Sequence, residues 1–248
     1  MILRSEIVQQ MKANKLRVTK LIDGKYKAKT VKEMKQQLKD LEEKEKEKEI
    51  SGSGMIASDI SALLKKSYNS KNPADVGDYK VDKELSGQRV QVYTKNGKAY
   101  VVHRGTASAK DWMTNASLLV GFKGKRFKHA RDIQNKAVAK YGAPNITTLG
   151  HSQGGYWAEK LGADKNKSAE TITLNKATLP SQIGKKIKSN QTDIKTRADP
   201  VSVLNKLQRG HKKRTVTIKS NLINNPLKEH SVDVLDRLPQ DKFIGKIN

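Results

Sequence analysis

Five residues, Gly150-His151-Ser152-Gln153-Gly154, limit what this chain can fold into more than any other stretch. They follow a short apolar and β-branched run, Ile146 to Leu149, and precede a helical pattern, Gly155 to Leu161. The spacing G-x-S-x-G between a strand and a helix predicts a sharp turn that lifts the serine hydroxyl above a sheet. Side chains two positions before and after the serine would strike neighbouring backbone, so such a turn calls for glycine at 150 and 154. The following helix aims its N-terminus at the serine, which favours negative charge developing there. Ser152 is therefore a candidate nucleophile.

The surrounding pattern agrees with an α/β fold. Asp59 to Tyr68 reads as an amphipathic helix. Arg89 to Tyr93 and Tyr100 to His103 read as strands joined around Asn96-Gly97, a strong hairpin signal. Phe127 to Tyr141 is a helix closed by Gly142 and Pro144. Thr171 to Leu174, Asp193 to Arg197 and Thr215 to Ile218 read as further strands. Strands alternating with helical stretches predict a mostly parallel sheet flanked by helices.

The first fifty residues differ. Ser5 to Leu16 and Thr30 to about Ile50 carry helical patterns, the second opening on Thr30-Val31-Lys32-Glu33, which has capping-box spacing. Its end, Leu41 to Ile50, is alternating charge suited to a solvated helix. Ser51-Gly52-Ser53-Gly54 has linker composition, whether natural or an engineered junction before Met55. The expected organisation is a basic helical appendage at 1–50, a Ser/Gly linker at 51–54, and an α/β domain at 55–248.

Composition narrows the partners. The chain has 50 Lys/Arg against 25 Asp/Glu, a formal charge of +25, and is expected to be drawn to anions. Residues 1–54 hold fourteen Lys/Arg against nine Asp/Glu, so most of the excess falls on residues 55–248. Without cysteine there is neither disulfide nor thiolate chemistry. No His/Asp/Glu cluster has metal spacing, and no Walker loop or G-x-G-x-x-G follows a strand, so no metal or other cofactor is expected. No run approaches the ~20 apolar residues of a membrane span. The start, MILRSEIVQQ, does not read as a secretory signal. This points to an intracellular protein, or one carried in a virus particle, rather than a classically secreted one.

Four motifs together resemble one family. Val101-Val102-His103-Arg104-Gly105-Thr106 with Asp111-Trp112, then GHSQGG, then Ala198-Asp199-Pro200-Val201, then Glu229-His230-Ser231 resemble, in order, the motifs of the class 3 (fungal-type) lipases. The resemblance covers about Val90 to Leu235 and implies an α/β-hydrolase fold. It departs from the family pattern at Gln153, His103 and Asn175, positions that bear on substrate shape more than on chemistry. It implies Ser152 as nucleophile, His230 as general base and Asp199 as the acid that orients it. The order Ser…Asp…His is that of α/β-hydrolases. The oxyanion donors would be the Gln153 N–H and Thr106, with Asn115 orienting the Thr106 hydroxyl. Residues 107–120, including Trp112, Met113, Leu118, Leu119 and Val120, fall where the family carries a lid.

Four other histidines compete with His230 for that role. His151 neighbours the serine and should point into the packing beneath the turn, and His103 and His129 read as structural or solvated. His211 also follows Asp199, but it sits among cations, which depress its pKa, and it precedes the last strand. The expected function is hydrolysis of a lipid carboxylic ester, of triacylglycerol or phospholipid type. The basic run Lys123, Lys125, Arg126, Lys128 and His129 suggests peripheral contact with an anionic membrane surface. A small-ester or thioester hydrolase is the alternative within the enzyme class. The alternative from another class is a basic protein that binds nucleic acid or an acidic partner and carries a vestigial hydrolase domain.

Overall fold

The computed structural model describes residues 4–13, 16–22, 25–40, 54–69, 72–106, 124–221 and 225–245. The chain divides into two compact units, Met1–Gly52 and Ser53–Asn248.

The first unit begins with α1 (Arg4–Ala13), where Ile7 and Met11 fall one turn apart and are buried. A two-stranded antiparallel hairpin follows, β1 (Thr19–Ile22) and β2 (Lys25–Ala28), then α2 over residues 31–40. Ile7, Met11 and Met34 form a small core. The capping box is present: Thr30 N–H donates to Glu33 Oε2 at 2.8 Å, and Glu33 N–H donates to Thr30 Oγ1 at 3.3 Å. The hairpin corrects the expectation of a purely helical appendage. Its physical basis is local, because Asp23-Gly24, the dipeptide favoured in tight hairpins, lies between the two strands in sequence. The charged stretch 41–50 and linker residues 51–53 lie outside the described residues.

The second unit is built on a seven-stranded sheet. Its strands in chain order are β4 (Lys80–Val81), β5 (Val90–Lys95), β6 (Lys98–His103), β7 (Ile146–His151), β8 (Glu170–Leu174), β9 (Gln191–Thr196) and β10 (Thr215–Ile218). Their spatial order is β10-β9-β8-β7-β6-β5-β4. All neighbours from β6 to β10 are parallel, and β4–β5–β6 forms an antiparallel edge. The β5–β6 turn places Asn96 at φ 50° and Gly97 at φ 73°, the paired positive φ of the tight hairpin that the sequence predicts. A separate short pair joins β3 (Met55–Ile56) to β11 (Phe243–Ile244).

Two apolar clusters cover the sheet's faces. Tyr93, Tyr100, Val102 and Leu149 pack with Ile60, Leu63 and Leu64 of α3 (Ala57–Asn69) and with Val234 and Leu235 near the C-terminus. Val92, Val101 and Ile146 pack instead with Ala130, Ile133 and Ala137 of α4 (Lys125–Tyr141) and Trp157 of α5 (Gln153–Gly162). The period-two alternation of β5 and β6 sends successive side chains to opposite clusters. Helices therefore flank a mostly parallel sheet, as the sequence predicts. Two short helices, α6 (His211–Arg214) and α7 (Pro226–His230), complete the unit.

Candidate active site

β7 ends in the buried turn that carries Ser152, and α5 starts at the next residue. Ser152 has φ 58° and ψ −124°, a conformation L residues rarely hold and one that stores roughly 1–3 kcal/mol of strain. Its N–H donates to Leu174 O at 3.0 Å, and its carbonyl accepts from Ala177 N–H at 3.0 Å, so β8 and its following segment fix the turn. The glycines are required by contact. A Cβ on Gly150 would lie 2.2 Å from Gly154 O, and one on Gly154 would lie 2.1 Å from His103 O.

Asp199 follows the end of β9 and is buried. Its carboxylate accepts from Val201 N–H at 3.2 Å and Ser202 N–H at 2.9 Å, bonds that fix its orientation. Its Oδ1 lies 2.7 Å from Nδ1 of His230, also buried. A carboxylate at Nδ1 leaves Nε2 as the nitrogen able to accept a proton. His230 is the last residue of α7, and its approach is fixed from several sides. Asn175 Nδ2 and Thr196 Oγ1 each donate to Glu229 O at 2.9 Å. The Glu229 carboxylate pairs with Arg237 at 2.9 Å.

A buried chain ties His230 to the turn. Gly105 N–H donates to the Tyr68 hydroxyl oxygen at 3.0 Å, and that hydroxyl lies 2.7 Å from His151 Nδ1. His151 Nε2 lies 2.7 Å from His230 O. A carbonyl only accepts, so Nε2 carries the His151 proton and Nδ1 accepts from Tyr68. Burial, reinforced by the neighbouring His230, holds the His151 pKa down at about 3, and the ring is neutral at pH 7. His151 thus does point into the packing beneath the turn, and there it bridges the Gly105 loop to the His230 backbone.

That loop lies against Ser152. A Cβ on Gly105 would come within 2.9 Å of Ser152 Cβ. Thr106 Oγ1 donates to Gln153 Oε1 at 3.2 Å, so both expected oxyanion residues meet beside Ser152. Asn115, Trp112, Met113, Leu118, Leu119, Val120 and Lys123 lie outside the described residues. Lys125, Arg126, Lys128 and His129 are exposed at the start of α4.

The remaining histidines have other surroundings. His211 Nδ1 lies 2.9 Å from both Asn205 Oδ1 and Thr215 Oγ1, and burial followed by Lys195 lowers its pKa. His103 is fully buried against Gln134, and burial holds its pKa down at about 4.

Sequence reasoning missed a charged cluster behind the turn. Lys176, buried just past β8, pairs with Glu159 of α5 and with Asp193 of β9, the latter at 2.7 Å. Burial pushes the Lys176 pKa down, but Asp193 and Glu159 outweigh it and hold the pKa above its ordinary value. Gln191, Thr173 and Asn205 also donate to Asp193, at 2.7, 2.7 and 2.9 Å. The sequence trace of it is the third glycine of the turn, Gly155, where a Cβ would meet Lys176 Cβ at 2.6 Å. Only the pairing of β8 with β9, however, reveals that contact's partners.

Among the described residues, no group of three or more His, Cys, Asp and Glu converges as metal ligands, and no helix is long and apolar enough to cross a membrane. In sequence, the model of the phospholipase-like family, a Tle-like phospholipase domain, matches residues 62–240. No curated protein matches the chain.

Proposed function

The chain belongs to the phospholipase-like family of Tle-like phospholipase domains, and from that premise we propose that it cleaves a phospholipid carboxylic ester through an acyl-enzyme on Ser152. The observation that carries this reading is the Asp199–His230 pair, 2.7 Å apart and joined through His151 to the strained Ser152 turn. The fourfold motif resemblance to class 3 lipases supports the same roles.

In the proposed reaction His230 Nε2 takes the Ser152 proton as the serine oxygen attacks the ester carbonyl. Asp199 holds the proton on Nδ1 and stabilises the imidazolium. The Gln153 N–H and Thr106 stabilise the oxyanion, each such donor contributing about 3 kcal/mol in the transition state. The intermediate collapses as His230 protonates the leaving alcohol. Water, deprotonated by the same nitrogen, then releases the acid and restores Ser152. His151 is already committed as donor to His230 O and acceptor from Tyr68, which leaves His230 for the proton transfer.

Residues 55–248 form the hydrolase domain in this reading. Its approach to an anionic lipid surface rests on Lys125, Arg126 and Lys128. Three cations in the first turn of α4 oppose the helix dipole, a placement that disfavours the helix and suits attraction of anions instead. The decisive experiment is labelling with a fluorophosphonate probe, mapped by peptide mass. The reading requires the adduct on Ser152, its loss in Ser152→Ala, and release of fatty acid from phosphatidylglycerol vesicles by the unaltered chain. Undiminished turnover by Ser152→Ala would overturn it.

A further inference from the structure

A cavity of ≈ 750 Å³ opens at the edge of the sheet away from Ser152. The topology fixes its place. Ser152 and Asp199 follow the ends of β7 and β9, whereas Lys188, Asn190 and Gln191 of the cavity wall stand where β9 begins. β7, β8 and β9 run parallel, so the two sites occupy opposite strand ends. Ser152 immediately precedes α5, and Lys160 and Ala163 at its other end line the cavity. The helix thus separates the two by roughly 15 Å.

The wall is cationic. Lys160 and Lys165 come from the end of α5 and the turn after it; Lys185, Lys186 and Lys188 come from the segment entering β9; Arg209 completes the set. The acidic side chains of the lining, Glu159 and Asp164, have partners within the protein. Glu159 pairs with Lys176 and accepts from Gln182 Nε2 at 2.6 Å, and Asp164 accepts from Asn166 N–H at 2.9 Å. Backbone bonds hold the cations together. Arg209 N–H donates to Lys185 O and Ile187 N–H donates to Arg209 O, both at 3.0 Å, while Arg209 Nε donates to Gly184 O at 2.7 Å. Ile187, between two of the lysines, is buried and anchors the segment. Gathering like charges on a rigid frame opposes folding through mutual repulsion, and an anionic ligand reverses that sign.

We propose that this cavity binds a small, soluble, phosphate-rich anion at a site separate from Ser152. Its volume suits a small ligand, and among the described lining residues Ala163 alone is apolar, which disfavours an acyl chain. The described lining holds no aromatic side chain on which a nucleic-acid base could stack. A bilayer seated here would leave the Ser152 edge facing away from the lipid.

The test is calorimetric titration of the intact chain with inorganic tripolyphosphate at physiological salt. The triple variant Lys185→Glu, Lys186→Glu, Lys188→Glu is compared with the charge-matched Lys125→Glu, Arg126→Glu, Lys128→Glu. Saturable one-site binding is expected, weakened at least tenfold by the first triple and less than threefold by the second. Soluble-ester turnover should be unchanged in the cavity variant. If the triple fails to fold, Lys186→Gln with Lys188→Gln carries the comparison against Lys125→Gln with Lys128→Gln. Absence of saturable binding, or equal weakening by both sets, would refute the site. A cavity variant that loses duplex-DNA or anionic-vesicle binding as steeply as tripolyphosphate binding would refute the small-anion assignment in favour of a macromolecule. The binding readouts do not depend on catalysis, so the proposal stands or falls apart from the hydrolase reading.

Discussion

The two halves of the main sheet are buried alike but filled differently. On β5 and β6 the interior is mainly apolar, Val90, Val92, Tyr93, Val101 and Val102, packed by shape and alternation, with Gln91 and His103 as buried polar exceptions. On β8 and β9 the interior includes Thr171, Thr173, Gln191, Asp193 and Thr196, and Lys176 and Glu159 complete the charged cluster beside them. Apolar packing tolerates exchanges of similar volume, because dispersion has no direction. A buried polar network fixes angles as well as distances, and one missing partner leaves an unsatisfied charge. The groups that hold the backbone beside His230, namely Thr196 and Asn175 through Glu229 O, extend from the polar half. The site is thus held mainly where the protein is least interchangeable.

The largest effect that would break this contrast is catalytic. His230→Ala should lower kcat/KM for a soluble ester by about 10⁴, while His211→Ala, on the polar half but bonded to Asn205 and Thr215, should change it by less than threefold. If the two variants lose activity equally, nearness to the polar network rather than the Asp199 partnership is what matters.

The second test is thermodynamic. Lys176→Met should destabilise the fold by about 3–5 kcal/mol, since Asp193 and Glu159 would remain buried without their cation. Val101→Ala removes two methylene-sized groups from the apolar half and should cost about 2 kcal/mol. Urea denaturation of each would compare them, and a Lys176→Met loss no larger than that of Val101→Ala would erase the distinction.

Acid gives a third measure, read at the end of β6 and at the end of β7 between the two halves. His103 and His151 have folded pKa values of about 4 and about 3, below the 6.5 of an exposed histidine. Below pH 6.5 the unfolded chain binds protons that the folded chain refuses, so stability falls as pH drops from about 6.5 towards 4. Each histidine contributes a slope of up to about 1.4 kcal/mol per pH unit. His103→Gln should flatten the measured slope in that window by one histidine's share; an unchanged slope would show that burial does not hold the ring neutral.

The smallest expected effect is at Tyr68. Tyr68→Phe removes the donor to His151 Nδ1 and the acceptor for Gly105 N–H, so kcat should fall about tenfold with KM nearly constant. A change confined to KM would place Tyr68 in substrate binding instead.

Much of the architecture was legible because it rests on short-range sterics. The Asn96-Gly97 hairpin, the strand–turn–helix around Ser152 and the Thr30–Glu33 capping box each need only neighbours within a few residues. The β1–β2 hairpin had such a signal too, in Asp23-Gly24 and the alternating Lys25-Tyr26-Lys27-Ala28, but its strands are only four residues long and β2 is exposed throughout. The polar half was not legible. Thr171 to Leu174 reads as a strand, but only its position between β7 and β9 supplies the partners its buried threonines meet. The His151–His230 bond joins residues 79 apart, so chain order could suggest the histidine but not the carbonyl that fixes it. The basic cavity is equally non-local, drawing Lys160, Lys185 and Arg209 from three separate segments.

The positive φ of Ser152 bears on how the sequence could drift. Glycine occupies that conformation without the steric penalty a serine incurs, and one replacement would relax the turn by about 1 kcal/mol. A protein released from any need for the hydroxyl would therefore find the neighbouring sequence more stable, and random change would have no reason to return. A serine standing between Gly150 and Gly154 on such a backbone is poised on a slope that leads away from it. Its presence marks a residue kept against the grain of the fold, and the vestigial reading of this domain has to explain what keeps it there.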